Sequence, residues 1–418
     1  MIEITPDALM KAVIDRYLKS GDYNGLHLRL NVEPALLDEA KKLVIDGKLQ
    51  VMVSDVDYPN PHIRPWPSQR TVESQVESLD ELTRGGYGAV LYPTPLALRG
   101  VRVPARLQEQ PFGKAMAKGR GTLELAYFSL DVLEPYRNDP RYHFRYGDFG
   151  VDMGISDEAY LDETELDRDK VSLSHLGFAY DLSNYDSSNV TSQIVRRVAA
   201  FYGDLEKLTP EHQQRWRSYQ VPDAGLEPHP AWWAAKMGHW TNDVGPFEYL
   251  FLKLTDLDAL WMGAFGEELF KHTKRPHEFG WLLRPSQREW DEFIVQLDKV
   301  LSDNIRHDGL TSAGAPRKDK SGQNLGTLTR LATFLEGRGI DVAVVKELMR
   351  PLREIRHARQ KPAHALRANL TDKTFVHRQV ALLAELNDTL RELVRWMSTH
   401  PKNREWLADF EPDTYYRM

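Results

Sequence analysis

The pattern of hydrophobic and polar positions divides the chain into a mixed first half and a helical second half. Five β-rich runs predict strands in the first half, at residues 26–30, 49–55, 88–94, 122–133 and 171–181. Between residues 190 and 208, the apolar side chains Ile194, Val195, Val198, Tyr202 and Leu205 fall on one helical face, which predicts a helix. These elements predict an α+β fold class.

The second half begins with a well-defined helix start. Ser286-Gln-Arg-Glu289 is a capping box, and apolar residues follow it at spacings of three and four as far as Ile305. Further helices are predicted at residues 325–336, after Asp341 and at 372–399, with a loop at 310–323. We therefore expect a mixed α+β domain at 1–280, an all-α bundle at 281–402 and a C-terminal tail at 403–418.

The amino-acid composition limits the kinds of chemistry that the protein could perform. Hydrophobic residues make up 41% and charged residues 28% of the 418 positions, which is typical of a folded globular protein. The absence of cysteine excludes disulfides, cysteine-ligated zinc and thiol nucleophiles. No apolar run is long enough to span a membrane and the N-terminus lacks a signal-peptide pattern, so we expect a cytoplasmic protein without membrane contact.

The charge is distributed unevenly. Between Leu325 and His400, 13 Lys and Arg face 8 Asp and Glu, a balance of +5. Since the whole chain carries −7, the remainder carries −7 − 5 = −12. A basic module on an acidic body favours an anionic partner at one end of the chain.

The basic module contains Arg359-Gln-Lys-Pro-Ala-His364. This segment resembles the Arg-x4–6-His signature of HEPN (higher eukaryotes and prokaryotes nucleotide-binding) domains, in which a polar residue such as Gln360 often follows the arginine. The resemblance covers roughly residues 281–402 and rests also on the helical surroundings and the long final helix.

The resemblance implies a metal-independent RNA endonuclease that needs no cofactor and leaves a 2′,3′-cyclic phosphate. In that case Arg359 binds the scissile phosphate and His364 transfers protons. Gln360 orients either Arg359 or His364. It also implies a homodimer through the bundle, with two Arg–His pairs in one composite site. By analogy with toxins and phage-defence effectors, the RNA substrate could be tRNA, and a trigger ligand or an antitoxin could be a further partner. Residues 1–280 would then restrain the nuclease, sense the trigger or recognise the substrate.

The spacing of the motif requires a departure from a regular helix. Five residues on an ideal helix rotate by about 140°, which points Arg359 and His364 apart. Pro362 removes a backbone donor and disfavours helical geometry at Lys361, so we expect a break or kink at 360–362 that brings the pair together. Pro351 could kink the same helix earlier.

The basic residues around the motif predict an RNA track. Its proposed contacts are Arg353, Arg356, Lys361 and Arg367. The alternative is a solvated helix with ion pairs between residues three and four apart. Two other pairs, Arg350 with His357 and Arg395 with His400, also fit the spacing; the second closes the final helix and is interpreted as structural.

The sequence is also compatible with other functions. The bundle could be a non-catalytic HEPN-like dimerisation module that binds RNA or a ligand. Asp55 and Asp57, beside His62 and Arg64, could hold magnesium, although turn and cap roles are commoner for such residues.

Two further segments carry weaker patterns. The basic, glycine-rich stretch 113–121 lacks the spacing of a P-loop and is interpreted as a mobile loop. The aromatic stretch with Trp232, Trp233, His239 and Trp240 is interpreted as core rather than as a base-stacking platform.

Overall fold

The computed structural model describes residues 5–28, 32–54, 56–82, 88–161, 171–181, 195–364, 368–408 and 410–417. The described α-helices are α1 (Pro6–Lys19), α2 (Pro34–Ile45), α3 (Val72–Leu82), α4 (Pro111–Ala117), α5 (Glu134–Arg137), α6 (Asp157–Leu161), α7 (Tyr202–Leu205), α8 (Pro210–Ser218), α9 (Pro230–Lys236), α10 (Pro246–Phe265), α11 (Gln287–Val300), α12 (His307–Ser312), α13 (Thr327–Gly337), α14 (Val342–Leu348), α15 (Arg350–His364) and α16 (Thr374–Ser398). The described strands are β1 (Leu26–Leu28), β2 (Leu49–Val53), β3 (Ala89–Pro93), β4 (Leu125–Ser129), β5 (Tyr142–Tyr146), β6 (Gly150–Ile155), β7 (Ser172–Asp181), β8 (Val195–Phe201), β9 (Gln220–Val221) and β10 (Leu226–Pro228). The predicted α+β class is confirmed, with sheets in the N-terminal part and helices in the C-terminal part.

The chain forms two compact units. Unit 1 comprises Met1–Val132, Met153–Leu176 and Val198–Ala224, and unit 2 comprises Leu133–Asp152, Gly177–Arg197 and Gly225–Met418. This division does not coincide with the boundary predicted at 280/281, because the segment from Gly225 onward belongs with the C-terminal helices.

A three-stranded antiparallel sheet lies at the centre of the first part of unit 1. Its order is β1-β3-β2, with Leu91 of β3 opposite Leu26 on one side and Val51 on the other. Every residue of β2 and β3 is buried, and α1, α2 and α3 pack on this sheet. Burial on both faces explains why β3 is a continuous apolar run and why β2 is apolar at every position except the buried Gln50.

The second sheet has the strand order β5-β6-β7-β8-β4-β9, and β10 pairs with β7. The helix predicted for 190–208 is wrong over its described part, because Val195–Phe201 is strand β8 and, of the described residues, only Tyr202–Leu205 form a helical turn. Ile194 lies outside the described residues. Strand β8 has neighbours on both sides, and the side chains from Val198 to Phe201 are all buried. It therefore lacks the alternation that identifies a strand exposed on one face.

Two long helices dominate the helical part of unit 2. Helix α10 packs along α16, and the side-chain amide of Asn387 on α16 donates to the carbonyl of Pro246 at 2.9 Å. Helix α10 ends at Gly266, which adopts φ +79°, a conformation that favours glycine. The bundle thus includes a helix that precedes the predicted boundary. None of the helices in the described part of the chain is long and apolar enough to cross a membrane.

The start of α11 follows the predicted capping box only in part. Ser286 Oγ accepts the N–H of Glu289 at 3.3 Å, as predicted. The carboxylate of Glu289 accepts the N–H groups of two residues that precede Ser286, Leu283 at 2.7 Å and Arg284 at 3.1 Å. The box therefore fixes the approach to the helix as well as its first turn.

The helix predicted after Asp341 is two helices. Asp341 caps the first of them through the N–H of Ala343 at 2.8 Å, as predicted. Helix α14 ends at Leu348 and α15 begins at Arg350, so that Pro351 lies in the first turn of α15. Proline is well tolerated there because the N–H groups of a first turn have no partner within the helix.

Candidate functional site

Helix α15 has one buried apolar face and one exposed polar face. Leu352 and Ile355 are buried, whereas Arg353, His357 and Gln360 are exposed. The three exposed positions are spaced by four and three residues and so lie on one side of the helix. The polar side chains of α15 therefore lie on its exposed face, and its apolar face is buried in the protein.

A pocket of about 370 Å³ lies between this surface and the start of α13. Arg353, Arg356, His357 and Gln360 line it from α15, and the N-cap Gly326 and the first turn of α13, from Thr327 to Thr329, line it from the other side. No side chain caps α13. The first-turn N–H groups and the helix dipole therefore add to the positive potential of the arginines, an arrangement that suits an anion.

A second pocket, of about 470 Å³, adjoins the first along α15. It is lined by Lys346, Glu347, Arg350, Arg353, Glu354, His357 and Ala358. Arg353 and His357 line both pockets. Together the two pockets form a basic surface, which we call the α15 face, with an imidazole at its centre.

Arg359 lies in a different environment. Its Nη1 donates to Asp298 Oδ2 at 2.5 Å and also to Asp303 Oδ2. Arg356 Nη1 donates to the same two carboxylates and to Ser302 Oγ at 3.3 Å. The side chain of Asp298 is fully buried, whereas that of Arg359 is 33% exposed.

These four side chains form a charge-balanced cluster, here called the Asp298 cluster. The hydrogen bonds that Arg359 donates to Asp298 and, second, to Asp303 raise its pKa. Burial acts to raise the pKa of Asp303, but the hydrogen bonds from Arg356 and Arg359 outweigh it and the pKa is lowered. The cluster thus pairs two guanidinium groups with two carboxylates.

Arg353 differs from its neighbours in having no acidic partner. Within residues 195–364, which are described without a gap, no carboxylate oxygen lies within 4.0 Å of its guanidinium, and none of the other described residues forms such a pair with it. Arg350, by contrast, is paired with Glu347, Glu354 and Glu385. Arg353 is thus the arginine of the α15 face best placed to accept an external anion.

The structure brings together only part of the predicted site. Gln360 lines the first pocket, whereas Arg359 does not. Helix α15 runs without interruption through Pro362 to His364, so a break at 360–362 is wrong, while the kink given as its alternative stays a prediction. The side chains of Lys361 and His364, and Arg367 as a whole, lie outside the described part of the chain.

Among the predicted RNA contacts, Arg353 and Arg356 line the pocket, although Arg356 is also held by Asp298 and Asp303. The expected pattern of ion pairs along a solvated helix is present around Arg350. His357 and the start of α13 were not placed in the site by the sequence. The spacing of Arg350 and His357 was the one signal that could have indicated the histidine.

The weaker candidates lie in structural roles. Asp57 Oδ2 accepts from Arg70 at 3.0 Å and from the N–H of Val53 at 2.9 Å, while Asp55 lies outside the described residues. The guanidinium of Arg64 is buried and donates to Tyr17 and to the carbonyl of Pro93. In the described residues no group of three or more His, Asp or Glu side chains could hold a metal ion.

The glycine-rich and aromatic stretches also differ from expectation. The stretch 113–121 is not a mobile loop throughout, because its first five residues belong to α4 and Gly113 is packed against Leu107 and Gln110. In the aromatic stretch Trp232 is buried, as predicted, whereas Trp240 is 85% exposed. The core interpretation therefore holds for only part of that stretch.

Comparison with known proteins adds no relative. No protein-family model, no curated protein and no solved structure matches this chain.

Proposed function

We propose that the C-terminal helical part of the chain is a metal-independent RNA endonuclease of HEPN type that binds the RNA backbone on the α15 face. The observation that carries this proposal is the pocket in which Arg353, Arg356, His357 and Gln360 face the uncapped first turn of α13. Arginine and helix N-termini bind phosphate, and histidine transfers protons near neutral pH.

The reaction follows from these groups. The ribose 2′-oxygen attacks the adjacent phosphorus, the bond from phosphorus to the 5′-oxygen breaks, and the products are a 2′,3′-cyclic phosphate and a 5′-hydroxyl. A base removes the 2′ proton and an acid supplies one to the leaving oxygen, which are steps suited to imidazole. A guanidinium and backbone N–H groups stabilise the charge that develops on the phosphorane oxygens.

Two sets of residues could perform these steps. The first is the pair Arg359 and His364 with Gln360, as the family resemblance implies. Arg359 would then have to exchange its two carboxylate partners for a phosphate. The second is Arg353 with His357, which line the pocket and need no such exchange. Separate replacement of His364 and His357 shows which of the two histidines cleavage requires.

The biological setting is proposed by analogy alone. A homodimer through the bundle would unite two such faces in one composite site, and the acidic remainder of the chain would restrain the enzyme until a trigger ligand appears or an antitoxin is lost. The RNA would be a cellular species such as tRNA, as in toxins and phage-defence effectors.

A non-catalytic binding module is the second candidate, and one observation favours it. Arg359, the arginine of the motif, is engaged by the buried carboxylate of Asp298 and by Asp303. An arginine so neutralised serves the packing of α15 on α11 rather than catalysis. In that case the α15 face would bind RNA without cleaving it.

The test is an RNA-cleavage assay in excess EDTA with the full-length protein, total RNA and a tRNA pool. Wild type is compared with His364→Ala, His357→Ala and the control His143→Ala, an exposed histidine on β5. We expect 2′,3′-cyclic phosphate ends from wild type and control, and loss of cleavage in one or both of the other variants. Equal cleavage by all four proteins would contradict the proposal. RNA binding without cleavage would support the binding module.

A further inference from the structure

A pocket separate from the α15 face lies at the C-terminal end of α11. It has a volume of about 500 Å³, and none of its lining residues belongs to α15. Its lining consists of Phe251, His272, Lys274, Pro276, His277, Glu278, Phe279, Gln296, Lys299, Val300 and Asn304. A volume of this size matches the pockets in which proteins hold small molecules.

The floor of the pocket is apolar. Its residues are Phe251 of α10, Val300 of α11, and Pro276 and Phe279 from the segment between these helices. Both phenylalanines are buried in the protein. The floor is therefore a fixed part of the core surface and offers contact to an apolar body.

The rim of the pocket carries excess positive charge. Lys274 and Lys299 are exposed, and within residues 195–364 no carboxylate oxygen lies within 4.0 Å of either ammonium group. By contrast, Lys253 of α10, whose side chain is largely buried, is paired with Asp256 at 2.6 Å. Glu278 is the single acidic residue of the lining, so the two lysines leave a net positive rim even with both histidines neutral.

One wall of the pocket is held rigidly by Asn304. Its side-chain oxygen accepts the N–H groups of Lys271 at 3.1 Å and His272 at 2.9 Å, and its amide donates to the carbonyl of His272 at 2.6 Å. The backbone N–H of Lys271 also donates to the carbonyl of Asn304 at 3.0 Å. The wall is thus formed in advance, which lowers the cost of ordering it when a ligand binds.

We propose that this pocket binds a small organic anion, whose apolar body covers the floor formed by Phe251 and Val300 and whose carboxylate or phosphate is held by Lys274 and Lys299. The charge of the rim selects the anionic group, and the volume and the apolar floor select the body that carries it. The proposal does not depend on the nuclease activity proposed above.

The position of the pocket connects it to the Asp298 cluster. Lys299 directly follows Asp298, and Asn304 directly follows Asp303, the two carboxylates that bind Arg356 and Arg359. An anion in the pocket would therefore bind to the same short segment that holds α15 against α11.

The test is isothermal calorimetry of the full-length protein with three matched probes, 2-naphthoate, 2-naphthyl phosphate and the neutral 2-naphthamide. We expect at least one of the two anions to bind about tenfold more tightly than the amide, a difference that corresponds to one charge-assisted contact. The carboxylate and the phosphate probes show which anionic group the pocket prefers.

The double variant Lys274→Ala/Lys299→Ala should weaken binding of the preferred anion about tenfold or more, again by loss of charge-assisted contacts. The matched control Lys318→Ala/Lys320→Ala removes the same charge from residues outside the pocket lining and should bind as wild type does. Val300→Asp adds a carboxylate to the floor and should abolish binding, with circular dichroism to confirm its folding. Equal affinity for amide and anions, no binding by any probe, or unchanged affinity of the Lys274/Lys299 variant would overturn the proposal.

Discussion

Arg359 Nη1 lies 2.5 Å from the Oδ2 atom of Asp298, a carboxylate that is fully buried. The motif arginine is thus the partner of a charge that the protein interior could not hold alone. Arg353, six residues earlier on the exposed side of α15, has no comparable partner among the described residues. The two arginines should therefore respond differently to mutation.

Replacing Arg359 should lower stability, whereas replacing Arg353 should not. Arg359→Ala leaves buried Asp298 with Arg356 and Ser302 alone, and we expect a loss of about 2 kcal/mol in the free energy of unfolding. Arg353→Ala, at an exposed site, should change it by less than about 0.5 kcal/mol. Urea unfolding measures both, and equal effects of the two substitutions would show that Arg359 is not structurally engaged.

Replacing Arg353 should reduce the salt dependence of RNA binding. If its guanidinium neutralises one phosphate, Arg353→Ala lowers the slope of log affinity against log salt concentration by roughly 0.7 to 0.9. Fluorescence anisotropy with a single-stranded RNA at several salt concentrations measures the slope. Lys320→Ala, outside both pockets of the α15 face, is the control and should leave the slope unchanged. A slope equal to that of wild type in Arg353→Ala would remove this residue from the RNA contact.

Acid should weaken the Asp298 cluster through Asp303. Since the pKa of Asp303 in the folded protein lies below its ordinary value of 3.8, its ion pairs contribute stability above that pH, and the contribution is lost as pH falls through the folded value. We therefore expect Asp303→Asn to unfold at lower temperature than wild type at pH 7 and to approach it below about pH 4. Thermal scans across this range test the prediction. A difference that stays constant with pH would contradict it.

Glu206 should have the opposite pH dependence. Burial raises the pKa of Glu206 to about 7, with Asp22 adding to the effect, so its charged form is disfavoured in the folded protein. The stability of the protein should then fall as pH rises from about 4.5 to 7. Glu206→Gln should be more stable than wild type at pH 8, by on the order of 2 kcal/mol, and similar to it at pH 4.

The control for this experiment is Glu109→Gln, which changes an exposed glutamate of the same unit. It should leave the pH dependence of unfolding as in wild type. If Glu206→Gln shows no gain at pH 8, Glu206 is more accessible to solvent than its surroundings suggest.

The sequence alone predicts the elements whose signals are local. The caps at Ser286 and Asp341 depend on hydrogen bonds between residues two or three apart, and strands β2 and β3 are runs of mainly apolar residues, so both kinds of element were predicted. The concentration of positive charge on α15 was likewise visible in the sequence.

Which of those positive charges are available to a ligand depends on contacts between distant parts of the chain. Arg359 is neutralised by carboxylates 61 and 56 residues earlier in the chain, and no spacing rule connects positions so far apart. Contacts with distant residues also decide the structure of β8, where pairing with neighbouring strands overrides the helical pattern of the sequence. The pocket joining α13 to α15 is a third case, because the packing of distant helices brings the start of one to the surface of the other.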